Sequence, residues 1–500
     1  MIEGKARQSV KNVFVNISAK MIMMLLPFFI RSVMIYTLGN IYLGLDSLFS
    51  SILNMLSLSE LGFSSAIVYA MYKPIAENDD IKVRALLTFY KKIYFIVGSI
   101  IIGVGLILLP NLEMFIAKGT EYPKDINIHI VYLILLFNTG ISYFLYAYKS
   151  SVFIATMRND LDAIIELIRS LISHGLQIFA LLIFKNYYLY ILILPCITVL
   201  NNLYRSHVVD QLYPQYKGQE HLSKEDKKDI MTRVGALIGN KIGGVVFTSV
   251  DSIVISAVLG LEVLGKYTNY YTIFTAVYAV GSTAYTAIQS TVGNSLICRT
   301  KEENYSLFRK LFTGNAIISC FCTCCFVFLY QPFMRLWVGN ENVLDNSIPV
   351  LLALYFWVKS TRRICFLFKE AAGMWREDWL KPYISVLLNV TLNIYFAKTI
   401  GLPGVILSSV IALIVVEIPW ETVVFFRKYF EKNIFPYLKE IFKSAVITIL
   451  AVAFIWILSY KMNGRIENDI MLICVRMGMC VITTGCLYFP TYRKNQIKKL

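Results

Sequence analysis

The sequence predicts an all-α, polytopic membrane protein built from two related six-helix halves and a C-terminal helix pair. Three observations lead there. The 500 residues are 57% apolar and only 16% charged, with a mean hydropathy of +0.61, which leaves too few polar groups to clothe a soluble surface of this size. A Leu-Gly-x-x-x-Leu-Gly pattern occurs twice at one offset, as Leu38, Gly39, Leu43, Gly44 and as Leu259, Gly260, Leu264, Gly265, and Lys20 and Lys241 share that offset of 221. Finally, Lys and Arg gather in alternate loops.

A bilayer core of about 30 Å needs about 20 mostly apolar helical residues. Such stretches centre near Leu25, Met55, Ile101, Leu136, Leu171 and Leu194, then near Val245, Tyr278, Cys320, Leu354, Val390 and Ile411, and last near Ala451 and Cys480. Fourteen spans result. The expected organisation is an N-lobe over 1–211, a polar cytoplasmic connector over 212–233, a C-lobe over 234–430, and the final pair with a basic tail over 431–500. The gap-free offset also matches Val33 with Val254, Ile52 with Ile273, Ala66 with Ala287 and Ile67 with Ile288. Six spans per copy return the chain to its starting side, so the repeats are parallel.

Orientation follows from the basic residues, which are retained in cytoplasmic loops. Alternate loops on one side hold 35 of the 48 Lys and Arg, from Lys5 to Lys499, and this set includes Lys359, Arg362 and Arg363. The other side receives only Lys118, Lys124, Lys185, Lys266, Arg335, Lys398, Lys461 and Arg465. Both termini are therefore expected in the cytoplasm. The net charge of +16 is explained by residues that flank helices and face anionic lipid, without nucleic acid. No cleavage pattern follows the first span, which is expected to remain in the mature chain.

The ten cysteines lie largely in apolar helices and do not suggest a disulfide scaffold. Cys320, Cys322, Cys324 and Cys325 invite a metal reading, yet they lack a neighbouring His or carboxylate and their spacing does not put the thiols on one face. Small-residue helix packing is favoured, and no metal or cofactor is expected.

Charges inside spans carry the functional argument, because each costs about 2.5–3.5 kcal/mol at a helix centre and faces a cavity or a partner. Lys20, Arg31, Glu60, Lys241, Asp251 and Glu417 are the leading cases. The eleven residues from Lys20 to Arg31 bring both within about 20° of one helical face, about 16 Å apart. Pro27 interrupts this cationic stripe, and Gly243 and Gly244 loosen the corresponding span of the second half, so these three are hinge candidates. Two readings stand for Lys20 and Lys241: cations of a central cavity, or side chains that snorkel to the inner interface. Arg31 and Asp251 have the charges to pair across the lobes, and Glu60 to neutralise a lysine or carry a proton. Glu417, Glu421 and the Glu166/Arg169 pair, nearer the cytoplasmic boundary, are read as structural.

Gly260, Gly265 and Lys266 spell the start of a phosphate-binding loop, but Tyr267 stands where Ser or Thr would hold magnesium. With no nucleotide motif, transport has to run on an ion gradient, on membrane potential or on consumption of product. Potential suits an anionic cargo, since outward movement of each negative charge gains about 2.3 kcal/mol per 100 mV.

Arg31 to Gly44 (RSVMIYTLGNIYLG), Leu56 to Pro74 (LSLSELGFSSAIVYAMYKP), and Lys241 to Asn294 with its KIGGVVFTSVDSIVIS, LGKYTNYY and VGN pieces resemble the polysaccharide flippases of the multidrug/oligosaccharidyl-lipid/polysaccharide (MOP) exporter superfamily. The resemblance covers most of the chain. It implies two six-helix lobes around a V-shaped, water-filled cavity in the bacterial cytoplasmic membrane. It further implies outward flipping of undecaprenyl-pyrophosphate-linked oligosaccharide repeat units by alternating access, with polysaccharide polymerase and assembly proteins as partners. By that likeness the pyrophosphate lies near Lys20, Lys241 and Arg31, and the last two helices are similar to the groove-forming pair of peptidoglycan-precursor flippases. The alternatives are a cation-coupled multidrug exporter of the same superfamily and a membrane polymerase or glycosyltransferase. Such an enzyme needs a sizeable external domain, whereas the largest external gap here, Lys118 to Asn127, is too small to fold alone.

Overall fold

The computed structural model describes residues 2–57, 63–120, 122–374, 376–462 and 468–497; of these, the side chains of 2–14, 233, 235–242, 287, 376 and 490–497 are outside the description. Every regular element among the described residues is helical. The chain forms two compact units, Met1–Gly265 and Lys266–Leu500. Among the described residues, eight helices are long and apolar enough to cross a membrane, or nine with one bent pair counted as a single span. The chain is a multi-pass membrane protein.

The first unit contains α1 (Ile2–Thr37), α2 (Asn40–Leu56), α3 (Phe63–Glu77), α4 (Asp80–Leu108), α5 (Ile128–Phe144), α6 (Ser150–Ala155), α7 (Asn159–Phe184), α8 (Tyr187–Leu212) and α9 (Lys224–Leu259). Helix starts follow their capping residues: Asp79 accepts from the Lys82 amide, Asn127 from those of His129 and Ile130, Asn186 from Leu189 and Ser223 from Asp226. Glycines set the approach of α4 to α5. A Cβ on Gly105 would overlap Leu136, and one on Gly140 would overlap Ile102. The fourth predicted span is broken: α5 ends beside Tyr146, held at φ +53°, and the chain continues into α6 with a bend of 52°.

Both copies of the Leu-Gly pattern turn identically. Gly39 (φ 99°, ψ 176°) precedes α2, and Gly260 (φ 94°, ψ 168°) follows α9, a region that penalises any Cβ. Beyond the turns the glycines admit backbone contact. A Cβ on Gly44 would overlap the Leu261 carbonyl oxygen, and one on Gly265 would overlap that of Asn40. The four residues exchange places at the 221-residue offset, so this contact is two-fold in character.

The second unit contains most of α10 (Leu261–Cys298), then α11 (Lys301–Val338), α12 (Ser347–Ala371), α13 (Lys381–Thr399), α14 (Leu402–Ala412), α15 (Ile418–Phe425), α16 (Phe435–Met462) and α17 (Asp469–Ile497). A π-turn over Leu413–Glu417 joins α14 to α15, and a second over Phe426–Phe430 follows. Thr300 and Glu303 form a capping box at the start of α11. One core is aromatic, with Phe308, Phe368, Phe425, Phe426, Phe430 and Tyr437 buried in one cluster. The other joins the C-terminal pair to α11 through Ala316, Cys320, Cys324, Ala451, Ile455 and Cys480. The cysteines serve there as small apolar residues that let three helices approach.

Candidate functional site

The sequence-derived charges of the first half fall on α1. Lys20 is exposed and Arg31 half-buried, while Ala19, Ile30 and Met34 form the packed face between them. At 100° per residue both cations sit on one flank of that face, as their spacing requires. Arg31 lies within electrostatic reach of Asp46 on α2 and of Tyr190 on α8. Asp46 was not among the expected partners. The signal for it was present in the sequence, because Arg31 precedes the Gly39 turn by about as many residues as Asp46 follows it, which juxtaposes them in a helical hairpin. Around the pair, the Tyr42 ring is tilted against that of Tyr187 at 5.1 Å, Tyr187 stacks on Tyr190 at 5.7 Å, and the Tyr42 hydroxyl donates to Asp125 at 2.5 Å.

Asp251 is buried in α9. Lys241 falls within α9, but its side chain lies outside the described residues, as does Glu60 altogether. Pro27 is accommodated inside the unbroken α1, and Gly243 and Gly244 inside the unbroken α9. A Cβ on Gly244 would meet nothing within 4 Å.

In the second unit, cations that charge counting sets in a cytoplasmic loop lie inside α12. Lys359 stands twelve residues from each end of that helix, its ammonium 4.6 Å from the centre of the Tyr278 ring, 5.3 Å from Tyr355 and 5.5 Å from Phe274. One turn on, Arg363 lies 5.5 Å from the Tyr285 ring. The negative faces of these rings stabilise a desolvated cation, which is how an apolar helix tolerates it. The unbroken run of helix-compatible residues over Ser347–Ala371 was the available signal for placing these residues in a helix and not in a loop.

Arg362, on another face, donates to both Glu421 oxygens at 3.0 and 2.8 Å and lies 2.8 Å from Glu417. Lys381 reaches Glu421 at 2.5 Å, Glu417 at 3.2 Å and Asp378 at 3.3 Å, and Lys369 pairs with Asp378. Three cations and three carboxylates thus balance in a nearly dry cluster, where ions persist only when paired and hydrogen-bonded. The π-turn ending at Glu417 sets it and Glu421 on the same guanidinium. This cluster ties α12, α13 and α15 into one body.

At the polar end of the first unit, Lys82 bonds Asp226 at 3.1 Å, and Lys149 bonds Asp210 at 2.6 and 2.7 Å and Ser206 at 2.8 Å. The Ser223 hydroxyl, joined by the Lys82 ammonium, holds the Asp226 carboxyl below the usual range. Among the described residues, no group of three or more His, Cys, Asp or Glu has the geometry to hold a metal ion.

A family model described as "Polysaccharide biosynthesis protein" matches residues 9–288, more than half of the 500 residues. The chain belongs to the polysaccharide biosynthesis protein family. Its fold is shared with MOP superfamily transporters. The structure of lipid II flippase MurJ in an inward closed conformation matches this family member with a TM-score of 0.71 at 14% identity, covering 96% of this chain and 99% of that one. An inward-facing multidrug resistance MATE family transporter matches with a TM-score of 0.61 at 14% identity, covering 82% and 98%. A MOP superfamily transporter from Pyrococcus furiosus matches with a TM-score of 0.50 at 14% identity, covering 86% and 96%. No curated protein sequence matches the chain.

Proposed function

We propose that the protein is a flippase that moves undecaprenyl-pyrophosphate-linked oligosaccharide repeat units from the inner to the outer leaflet of a bacterial cytoplasmic membrane, for cell-surface polysaccharide synthesis. The observation that carries this reading is the family model spanning the first half and the start of the second. The fold likeness to a lipid II flippase, which covers 96% of this chain against 82% for the MATE family transporter, supports a lipid-linked cargo over a drug. In this reading the chain crosses the membrane fourteen times with both termini in the cytoplasm. The lobes are 1–211 and 234–430, bridged by 212–233, and 431–500 adds the last pair.

The pyrophosphate binds Lys20, Lys241 and Arg31, because charge-assisted contacts to phosphate are the strong ones in a partly desolvated site. Asp251 and Glu60 serve as charge partners or ion-coupling groups, and Pro27, Gly243 and Gly244 let α1 and α9 change shape. Export of a doubly anionic head group from a negative cytosol is favoured by about 5 kcal/mol at 100 mV, so the membrane potential favours outward movement. The protein is a transporter rather than an enzyme, and it hands its product to a polymerase.

Deletion of the gene tests this function. Lipid-linked repeat units accumulate in the inner leaflet and surface polysaccharide falls, both restored by the wild-type chain. Normal polysaccharide together with drug sensitivity in the deletion strain would favour the multidrug exporter instead.

A further inference from the structure

Two adjoining cavities lie at the polar end of the first unit, beside the Lys149–Asp210 pair. The first, of about 280 Å³, lies where α4 passes the end of α8 and the strap of residues 213–219; its wall includes Lys91, Tyr148, Lys149, Asp210, Tyr216 and Lys217. The second, of about 390 Å³, shares Thr88, Lys91 and Gln219 with the first, has Lys92 at its basic end, and continues between α4 and α5 along Phe95, Ile96, Tyr143 and Phe144.

The sequence builds this place deliberately. The break at Tyr146 (φ +53°) ends α5 beside the second cavity and swings Lys149 into the first. There the ammonium is neutralised by Asp210 at 2.6 Å. Lys91 and Lys217 are exposed and lie outside the ion pairs found among the described residues, so the first cavity carries a surplus of two positive charges. Gly218, at φ +123°, turns the strap so that Lys217 and Gln219 both face the cavities. Five residues along α4, from Lys91 to Ile96, amount to about 7.5 Å of depth. Over that distance the lining changes from basic to apolar.

We propose that these cavities form one binding site for an anionic glycerophospholipid of the leaflet on the connector side, with its phosphate between Lys91 and Lys217 and an acyl chain along Phe95, Ile96 and Phe144. A soluble phosphate would use the basic cavity but gain nothing from the apolar one. A zwitterionic lipid would fill the groove but leave the two lysines without a net counter-charge. Basic recesses between membrane helices select anionic head groups in this way. Because the strap supplies Lys217 and Gln219, a bound lipid fastens the segment that leads into α9 onto α4. The site is independent of the proposed cargo and of the Lys20 and Arg31 stripe.

Native mass spectrometry of the full-length, delipidated protein tests the proposal, with phosphatidylglycerol and phosphatidylcholine of identical chains as probes. Wild type binds phosphatidylglycerol the more tightly. Lys91→Gln with Lys217→Gln lowers that affinity about fivefold per lysine and leaves phosphatidylcholine binding unchanged, while Ile96→Trp, which fills the groove, weakens both lipids. Millimolar inorganic phosphate does not displace the bound lipid. Equal phosphatidylglycerol binding by wild type and the double lysine variant would overturn the proposal. Lysine-dependent displacement by phosphate, with no effect of Ile96→Trp, would overturn it in favour of a free-anion site.

Discussion

Gly44 packs without a side chain against the backbone carbonyl of Leu261, and the reciprocal contact of Gly265 with Asn40 is its image at the 221-residue offset. The two occurrences of the Leu-Gly pattern are thus in contact with each other. Gly44→Ala or Gly265→Ala has to push backbone apart, and overpacking of this kind costs about 1–3 kcal/mol. Gly103, inside α4 with nothing within 4 Å of a built Cβ, is the control. Thermal unfolding in detergent is expected to show a lowered midpoint for the first two variants and an unchanged or slightly raised one for Gly103→Ala.

The Arg362, Lys381 and Glu421 cluster is predicted to be a major stabiliser of the second unit. Glu421→Ala leaves three cations with only Glu417 and Asp378 to balance them, in a site where the Glu421 carboxylate is 1% exposed, a change that costs about 3–5 kcal/mol. Glu431→Ala removes only an exposed partner of Lys301 and should cost less than about 1 kcal/mol. Comparing expression and unfolding midpoints of the two variants checks this contrast.

Cys298 is exposed at the end of α10, beside Arg299 and Lys301 in the sequence. A chain retaining this cysteine alone is expected to react with a membrane-impermeant maleimide in inverted vesicles and not in intact cells. The opposite pattern would reverse the proposed orientation.

Acid should loosen the start of α9. The Asp226 carboxyl is held below its usual range by Ser223 first and Lys82 second. The stabilisation is therefore complete at neutral pH and is lost as pH falls below about 4, through the depressed folded value. The side chains of the Lys82 pair are 42% and 37% exposed, so solvent screening keeps the effect under about 1 kcal/mol. The acid limb of stability against pH should be slightly shallower in Asp226→Asn than in wild type.

Much of the fold was legible in the sequence because hydrophobic burial in a membrane needs long apolar runs, and Gly39 and Gly260 mark their turns without ambiguity. The helical class and the membrane setting followed directly. The pairing of charges did not, since Arg362 and Glu421 are 59 residues apart and meet only once α12, α13 and α15 pack. Lys359 was set in a loop for a related reason: positive residues are counted by sequence neighbourhood, whereas its tolerance within α12 comes from aromatic rings that α10 supplies. Asp46 could have been found from its distance to the Gly39 turn. The break at Tyr146 has no proline or glycine to announce it.

Translocation measured in proteoliposomes that hold an inside-negative potential tests the flippase account most directly, with an undecaprenyl-pyrophosphate-linked oligosaccharide as cargo. Wild type is expected to move it, Lys20→Ala with Lys241→Ala to slow movement at least about tenfold through the loss of two charge-assisted contacts, and Lys20→Arg with Lys241→Arg to retain most of the rate. Wild-type transport by the double alanine protein would contradict the assignment of these lysines, and no transport by the wild type would contradict the function itself.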